Sequence, residues 1–221
     1  MLLETGVILS LAAQCAPAVA PHTIAAIVDA ESSNYVYAIN VNGVARQPRQ
    51  PRNEAEAVAT ARYYVARGYS VDLGLGQINS RNMAWLGLTW ETAFKQCPNV
   101  EATGRVLLSN YRSAKAGRVP QEALRVALSM YNTGSQSRGF RNGYVARVEN
   151  AGRRISGRPA TAIPTYAVAD QGLSGPQGSA GSDGVTVELA EIAAENMQSA
   201  PPPAPPAWDV FGRASLARAG S

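Results

Sequence analysis

Apolar residues recur with helical spacing through the first 155 positions, and one of these stripes ends on an acid. In "PHTIAAIVDAESS" the apolar positions Ile24, Ile27 and Val28 start an i, i+3, i+4, i+7 stripe whose next member is Glu31. The pattern predicts a helix with a carboxylate at the edge of its packed face, just where the chain runs out into Ser32, Ser33 and Asn34. Asp29 falls about 200° around the same helix and is expected to be solvated. Read alone, Glu31 fits a rim carboxylate in water.

The pattern then changes. "NYVYAINVNGVARQPRQP" is rich in strand formers and holds an Asn42-Gly43 turn signal, so a short hairpin or extended excursion closed by Pro48 and Pro51 is expected. "NEAEAVATARYYVARGY" reads as a helix with Asn53 as its N-cap and Gly68 as its stop. The glycine-rich "DLGLGQINSRN" follows, then "MAWLGLTWETAF", in which Thr89 is a candidate cap for a short helix. "PNVEATGRVLLSNYRSAKAG" and "PQEALRVALSMYNTG" read as two more helices, the second stopped by Gly134. The expected class is mainly α, one domain over residues 1–155 with a small β or extended excursion.

Past Ile155 the composition shifts to Gly, Ser, Pro and Ala, which cannot bury much apolar surface. Residues 156–221 are expected to be a low-complexity, disordered tail. Within it "VTVELAEIAAENM" has the pattern of one short amphipathic helix, "PPPAPPA" that of a stiff polyproline stretch, and "WDVFG" offers Trp208 and Phe211 as a docking motif. The charge divides at the same boundary: seventeen Lys and Arg against ten Asp and Glu before it, three against six after it. A domain with net charge +7 suits an acidic polymer, cell-wall glycan with carboxylated peptides among others. Its arginines are dispersed without interleaved aromatics, which argues against nucleic acid.

Other chemistries lack residues. With one histidine, His22, and no CxxC pair, a Cys/His zinc site has too few ligands, so no metal and no cofactor is expected. A Ser-His-Asp triad would need His22 as base, and nothing else recommends it. Cys15 and Cys97 are either two buried thiols or one disulfide of an oxidising compartment. "GVILSLAA" resembles a signal-peptide core and "AVA" at 18–20 a cleavage site, but the preceding residues hold Glu4 and no Lys or Arg. Cleavage after Ala20 would also discard Cys15 and is not expected. The apolar run is too short and interrupted for a stable membrane span.

Four features share one explanation. Glu31 ends an apolar helix; "GLGQIN" turns at Gly74 and Gly76 and presents Gln77 and Asn79; "MYNTG" puts Tyr131 and Asn132 at a helix end; Tyr144 lies downstream in a Gly/Asn-rich stretch. Glycines let backbone approach a ligand, amides read N-acetyl and hydroxyl groups, and tyrosine rings stack on sugars. In this order they resemble the soluble lytic transglycosylase family, in the short type associated with type IV secretion and conjugation systems. The family's Glu-Ser falls on Glu31-Ser32, its glycine loop on "GLGQIN", its Ala-Tyr-Asn motif on Met130-Tyr131-Asn132, with Met130 replacing the alanine, and a downstream tyrosine on Tyr144. The likeness covers roughly residues 14–150.

The resemblance implies a lysozyme-like fold and cleavage of the MurNAc-GlcNAc β-1,4 bond of peptidoglycan. Glu31 would be the catalytic acid, its pKa raised by desolvation. Gln77, Asn79, Tyr131, Asn132 and Tyr144 would bind substrate, while Ser32 would hold the sugar or merely cap the helix. The product would carry a 1,6-anhydro-muramyl end, because the substrate's N-acetyl oxygen replaces a second carboxylate. The alternatives are a hydrolytic muramidase with Asp72 as second carboxylate, and a non-catalytic peptidoglycan-binding assembly module. The resemblance further implies a Cys15–Cys97 disulfide, a periplasmic location reached through an atypical export signal, and secretion-channel components as partners of the tail.

Overall fold

The computed structural model describes residues 1–157. The tail, with its expected helix and its Trp208/Phe211 motif, lies outside the described residues. The elements run α1 (Thr5–Cys15), α2 (Pro21–Ser32), β1 (Ile39–Val41), α3 (Glu54–Val65), β2 (Val71–Leu73), β3 (Ile78–Asn79), a 3-10 turn (Ser80–Asn82), α4 (Met83–Leu86), α5 (Gln96–Ala114), α6 (Pro120–Thr133), α7 (Arg138–Arg141) and α8 (Tyr144–Ser156). The architecture is mainly α with a small sheet, as the pattern predicts.

Helix α2 is the centre of the larger core. Every residue from Thr23 to Val28 is buried, so the helix is surrounded by α1, α5 and α8 rather than laid on a surface. Ile24 and Ile27 pack with Ile8, Leu107, Leu124, Leu128 and Tyr144. A second core, built from Ile39, Val41, Ala57, Ala61, Leu73, Ile78 and Phe94, lies under the sheet and α3. Helix α5 serves both: its Val100 and Leu107 belong to the first core and its Ala102 to the second. A carboxylate at the end of α2 and a loop resting on α5 are therefore held by one rigid frame.

The stretch that reads like a signal-peptide core is helix α1, with Ile8 and Ala12 fully buried. The residues before it are tied to the segment after α2 by Leu3 N–H donating to Asn34 O and Val36 N–H to Met1 O. Its last residue, Cys15, is joined by a disulfide to Cys97 in the first turn of α5. Among the described residues no helix is long and apolar enough to cross a membrane.

Three local expectations need correction. Asn42-Gly43 makes a turn but closes no hairpin; β1 pairs antiparallel with β2, Ile39 opposite Leu73 and Val41 opposite Val71. The residues after the turn contain Pro48 and Pro51, which have no N–H to give a ladder. Two glutamine side chains take a strand's place there. Gln47 both accepts from Val41 N–H and donates to Val41 O at 2.8 Å, and Gln50 does the same for Ile39, so the outer edge of β1 is closed by amides. The true hairpin is β2–β3 across the glycine loop, Asp72 opposite Asn79 and Leu73 opposite Ile78.

Thr89 caps no helix: the short helix α4 precedes it, and Thr89 N–H donates to Thr92 Oγ1 at 2.9 Å within a run of turns, the reverse of an N-cap. Asp29 is not simply solvated, because α8 runs along α2 and brings Arg154 to 2.7 Å from its carboxylate. Tyr144 opens helix α8, behind Gly143 at φ 78°. Where the signals are short-range the expectations hold. Asn53 accepts from Glu56 N–H at 2.9 Å at the start of α3, and Gly134 ends α6 at φ 68°.

Candidate active site

Glu31 occupies the last turn of α2, and the chain leaves that turn through Ser33 and Asn34, both in the left-handed region. Neither is glycine, so the sharp exit is imposed by the fold. The Glu31 carboxyl is pushed up to about 7, chiefly by burial. Two groups pull the other way. Tyr144 O–H donates to Glu31 Oε1 at 2.6 Å, and the Arg147 guanidinium acts through its charge; the charge of Asp72 adds to the upward push. Glu31 is thus an acid poised near neutrality and oriented by a phenol.

Tyr144 is fully buried, and its phenol is driven well above its ordinary range, first by burial and then by the Glu31 charge. Its backbone N–H donates to Asn142 Oδ1 at 3.0 Å, and Asn142 Nδ2 donates to Asn132 Oδ1 at 2.9 Å. Asn132 therefore reaches the site through a relay: it fixes Asn142, which fixes the start of α8 and hence Tyr144. Asn132 itself is exposed.

Tyr131, the preceding residue, faces the hairpin. Its hydroxyl donates to Gly76 O at 2.7 Å, and its phenol is pushed well up by burial and then by Glu31. Gln77 sits at φ 49° and donates through Nε2 to Gly74 O at 2.9 Å and Ala38 O at 3.2 Å. Asn79 Nδ2 donates to Asp72 Oδ1 at 2.6 Å while its oxygen accepts from Arg81 N–H. Asn79 thus meets Asp72 rather than Glu31. Ser32 Oγ donates to Val28 O at 3.1 Å, a bond within its own helix.

The glycines answer to α5 rather than to open space for a ligand. A Cβ on Gly76 would stand 1.9 Å from Thr103 Oγ1, and one on Gly74 would stand 2.6 Å from Asn99 Nδ2, with Gly74 also at φ 70°. Asn99 organises the turn: it accepts from Gly76 N–H at 2.8 Å and donates to Leu73 O and Ala93 O. Sequence reasoning misses Asn99 and Thr103, although two polar residues four apart on a buried helix face are a signal for a polar contact there. It misses Arg147 as well, three residues after Tyr144 on α8, with its guanidinium 5.4 Å from that ring.

Asp72 lies on β2, opposite Asn79. Asn40 and Asn42 each donate to its Oδ2 at 3.0 Å, so with Asn79 three amides hold it. Among the described residues no group of three His, Cys, Asp or Glu is placed to bind a metal.

A half-buried acid at a helix end, a phenol on it, and a glycine hairpin braced by a second tyrosine are the parts of a lysozyme-like transglycosylase domain. The transglycosylase SLT domain model matches residues 8–151, and the chain belongs to that family. It is 41% identical over 145 residues to Protein virB1 of Rhizobium radiobacter, a match covering 66% of this chain and 60% of the relative. The figures for Protein virB1 of Agrobacterium fabrum are 38% over 155 residues, 70% and 62%. For Type IV secretion system protein virB1 of Brucella abortus biovar 1 they are 39% over 163 residues, 71% and 68%. The chain spans about 60% of the length of the first of these. No solved structure matches it.

Proposed function

We propose that this chain is a peptidoglycan lytic transglycosylase that cleaves the MurNAc-GlcNAc β-1,4 bond and leaves 1,6-anhydro-muramyl ends. The observation that carries this reading is the Glu31 carboxyl, held near neutral pKa and hydrogen-bonded by Tyr144. Protonated Glu31 gives its proton to the bridging oxygen as the anomeric C–O bond breaks. The neighbouring N-acetyl oxygen supports the anomeric carbon. Glu31, now a carboxylate, takes the proton of the 6-hydroxyl as that oxygen closes on the anomeric carbon, and the acid is restored. Tyr144 holds Glu31 in place, Asn132 acts on Tyr144 through Asn142, and Gln77 and Tyr131 shape the sugar site. Asn79 acts through Asp72, and Ser32 borders the acid.

The names of the similar virB1 proteins support a role beside a type IV secretion apparatus, hence in the periplasm, where the enzyme would open the wall locally. Residues 156–221 would contact channel components. Mass spectrometry of glycan fragments released by wild-type and Glu31→Gln protein tests the reaction. Anhydro ends from the wild type alone are expected. Reducing ends would mean hydrolysis, and equal release by both proteins would remove Glu31 from the chemistry.

A further inference from the structure

A basic depression adjoins the site and takes no part in the steps above. It measures about 560 Å³ and is lined by Thr133, Arg138, Arg141 and Asn142, with no acidic side chain among them. Arg138 Nη2 donates to Thr133 O and Arg141 Nη1 to Ser137 Oγ, and each guanidinium keeps further N–H donors for a ligand. Among the described residues neither arginine meets a carboxylate. The acids of the adjacent helices are committed elsewhere, Glu122 to Arg118 and Glu149 to Arg125. Arg147, whose Nη1 reaches Asn142 O, adds a third cation at the rim. Positive charge is thus gathered at one place, and of the three cations Arg147 alone acts on an acid, Glu31.

The depression and the acid share a residue. Asn142 lines the former and, through its bond to Tyr144 N–H, sets the tyrosine that holds Glu31. A glycan seated at Glu31 would carry its peptide stems, with their free carboxylates, outward from the muramoyl ring next to the scissile bond. Guanidinium forks match carboxylates in shape and charge. Resting on the transglycosylase reading, we propose that Arg138 and Arg141 form a carboxylate-binding subsite for the peptide stem, making the chain prefer peptide-bearing strands over bare glycan.

The full chain is assayed on two substrates, intact glycan strands and the same strands stripped of peptides by an amidase, and the ratio of their kcat/KM values is taken. The wild type is expected to favour peptide-bearing strands roughly three- to tenfold, as suits exposed ion pairs, and less so in high salt. Arg141→Gln should lower the ratio towards one, and Arg141→Glu should bring it below one. Arg138 also braces the end of α6, so Arg141, whose side chain among the described residues hydrogen-bonds only Ser137, is the cleaner probe. A wild-type ratio of one, or a ratio that Arg141→Glu leaves in place, overturns the subsite alone. Failure of the wild type to cut either substrate overturns the transglycosylase reading, and the subsite with it.

Discussion

At the scale of residues, Glu31 is governed by opposed influences that can be separated by mutation. Burial favours its neutral form, while the Tyr144 hydroxyl and Arg147 favour the ionised one. A general acid must hold its proton, so activity on peptidoglycan should fall as pH rises through about 7. Tyr144→Phe removes a donor to the carboxylate, and the descending limb of kcat/KM should move to higher pH by up to about one unit while the maximal rate drops about tenfold. A limb that stays put would show that the hydroxyl does not touch the acid in solution. The same carboxyl taxes the fold. The folded chain keeps the Glu31 proton up to about pH 7, whereas an unfolded chain releases it near 4.5. Between those values the folded state binds more protons, so stability falls as pH rises through that window and then levels off. Glu31→Gln should therefore match the wild type near pH 4 and exceed it by roughly 3 kcal/mol above pH 7, read from denaturant midpoints at the two pH values.

Among the elements, the glycine hairpin and α5 act as one unit. Gly76→Ala would drive a Cβ into Thr103 Oγ1, and the hairpin would have to lift, taking with it the carbonyl that Tyr131 grips. A loss of about 2–3 kcal/mol is expected. Thr103→Ala should be milder, and the double variant should recover part of the loss, a coupling that a thermodynamic cycle measures directly. This pair also shows where sequence reading stops. Caps and helix ends were legible because their causes lie within four residues, as at Asn53 and Gly134. The order of Glu31, the glycine loop, Tyr131-Asn132 and Tyr144 was legible through family resemblance. That the room a Cβ would take is filled by Asn99 at Gly74 and by Thr103 at Gly76 was not, because a bare backbone serves a ligand and a neighbouring helix equally well. The pairing of β1 with β2 escaped for a similar reason: a whole helix separates the strands, and the local Asn42-Gly43 signal pointed elsewhere. Asp29 was misjudged because its partner Arg154 stands on the last described helix, 125 residues away.

For the molecule as a whole, the question is what holds α1 in the domain. The helix is apolar and short, and a chain that lost it would open the core around Ile24 and Ile27 to water. Packing of Ile8 and Ala12 and the backbone ties of the first three residues act locally, whereas the Cys15–Cys97 bond closes a loop across 82 residues of sequence. That loop contains α2 with Glu31, the sheet and the glycine hairpin, so the bond restricts the unfolded state of the acid and the hairpin, while Asn99, Thr103 and the residues of α6 and α8 lie outside it. A loop of that length contributes roughly 4 kcal/mol if chain entropy dominates. Urea unfolding of the oxidised chain, and of a Cys15→Ser/Cys97→Ser variant, should give midpoints separated accordingly, with similar slopes. Addition of a reductant should move the wild type towards the variant and leave the variant unmoved. Coincident curves would mean that α1 is held by its apolar face alone, and that the domain is indifferent to the redox state of its surroundings.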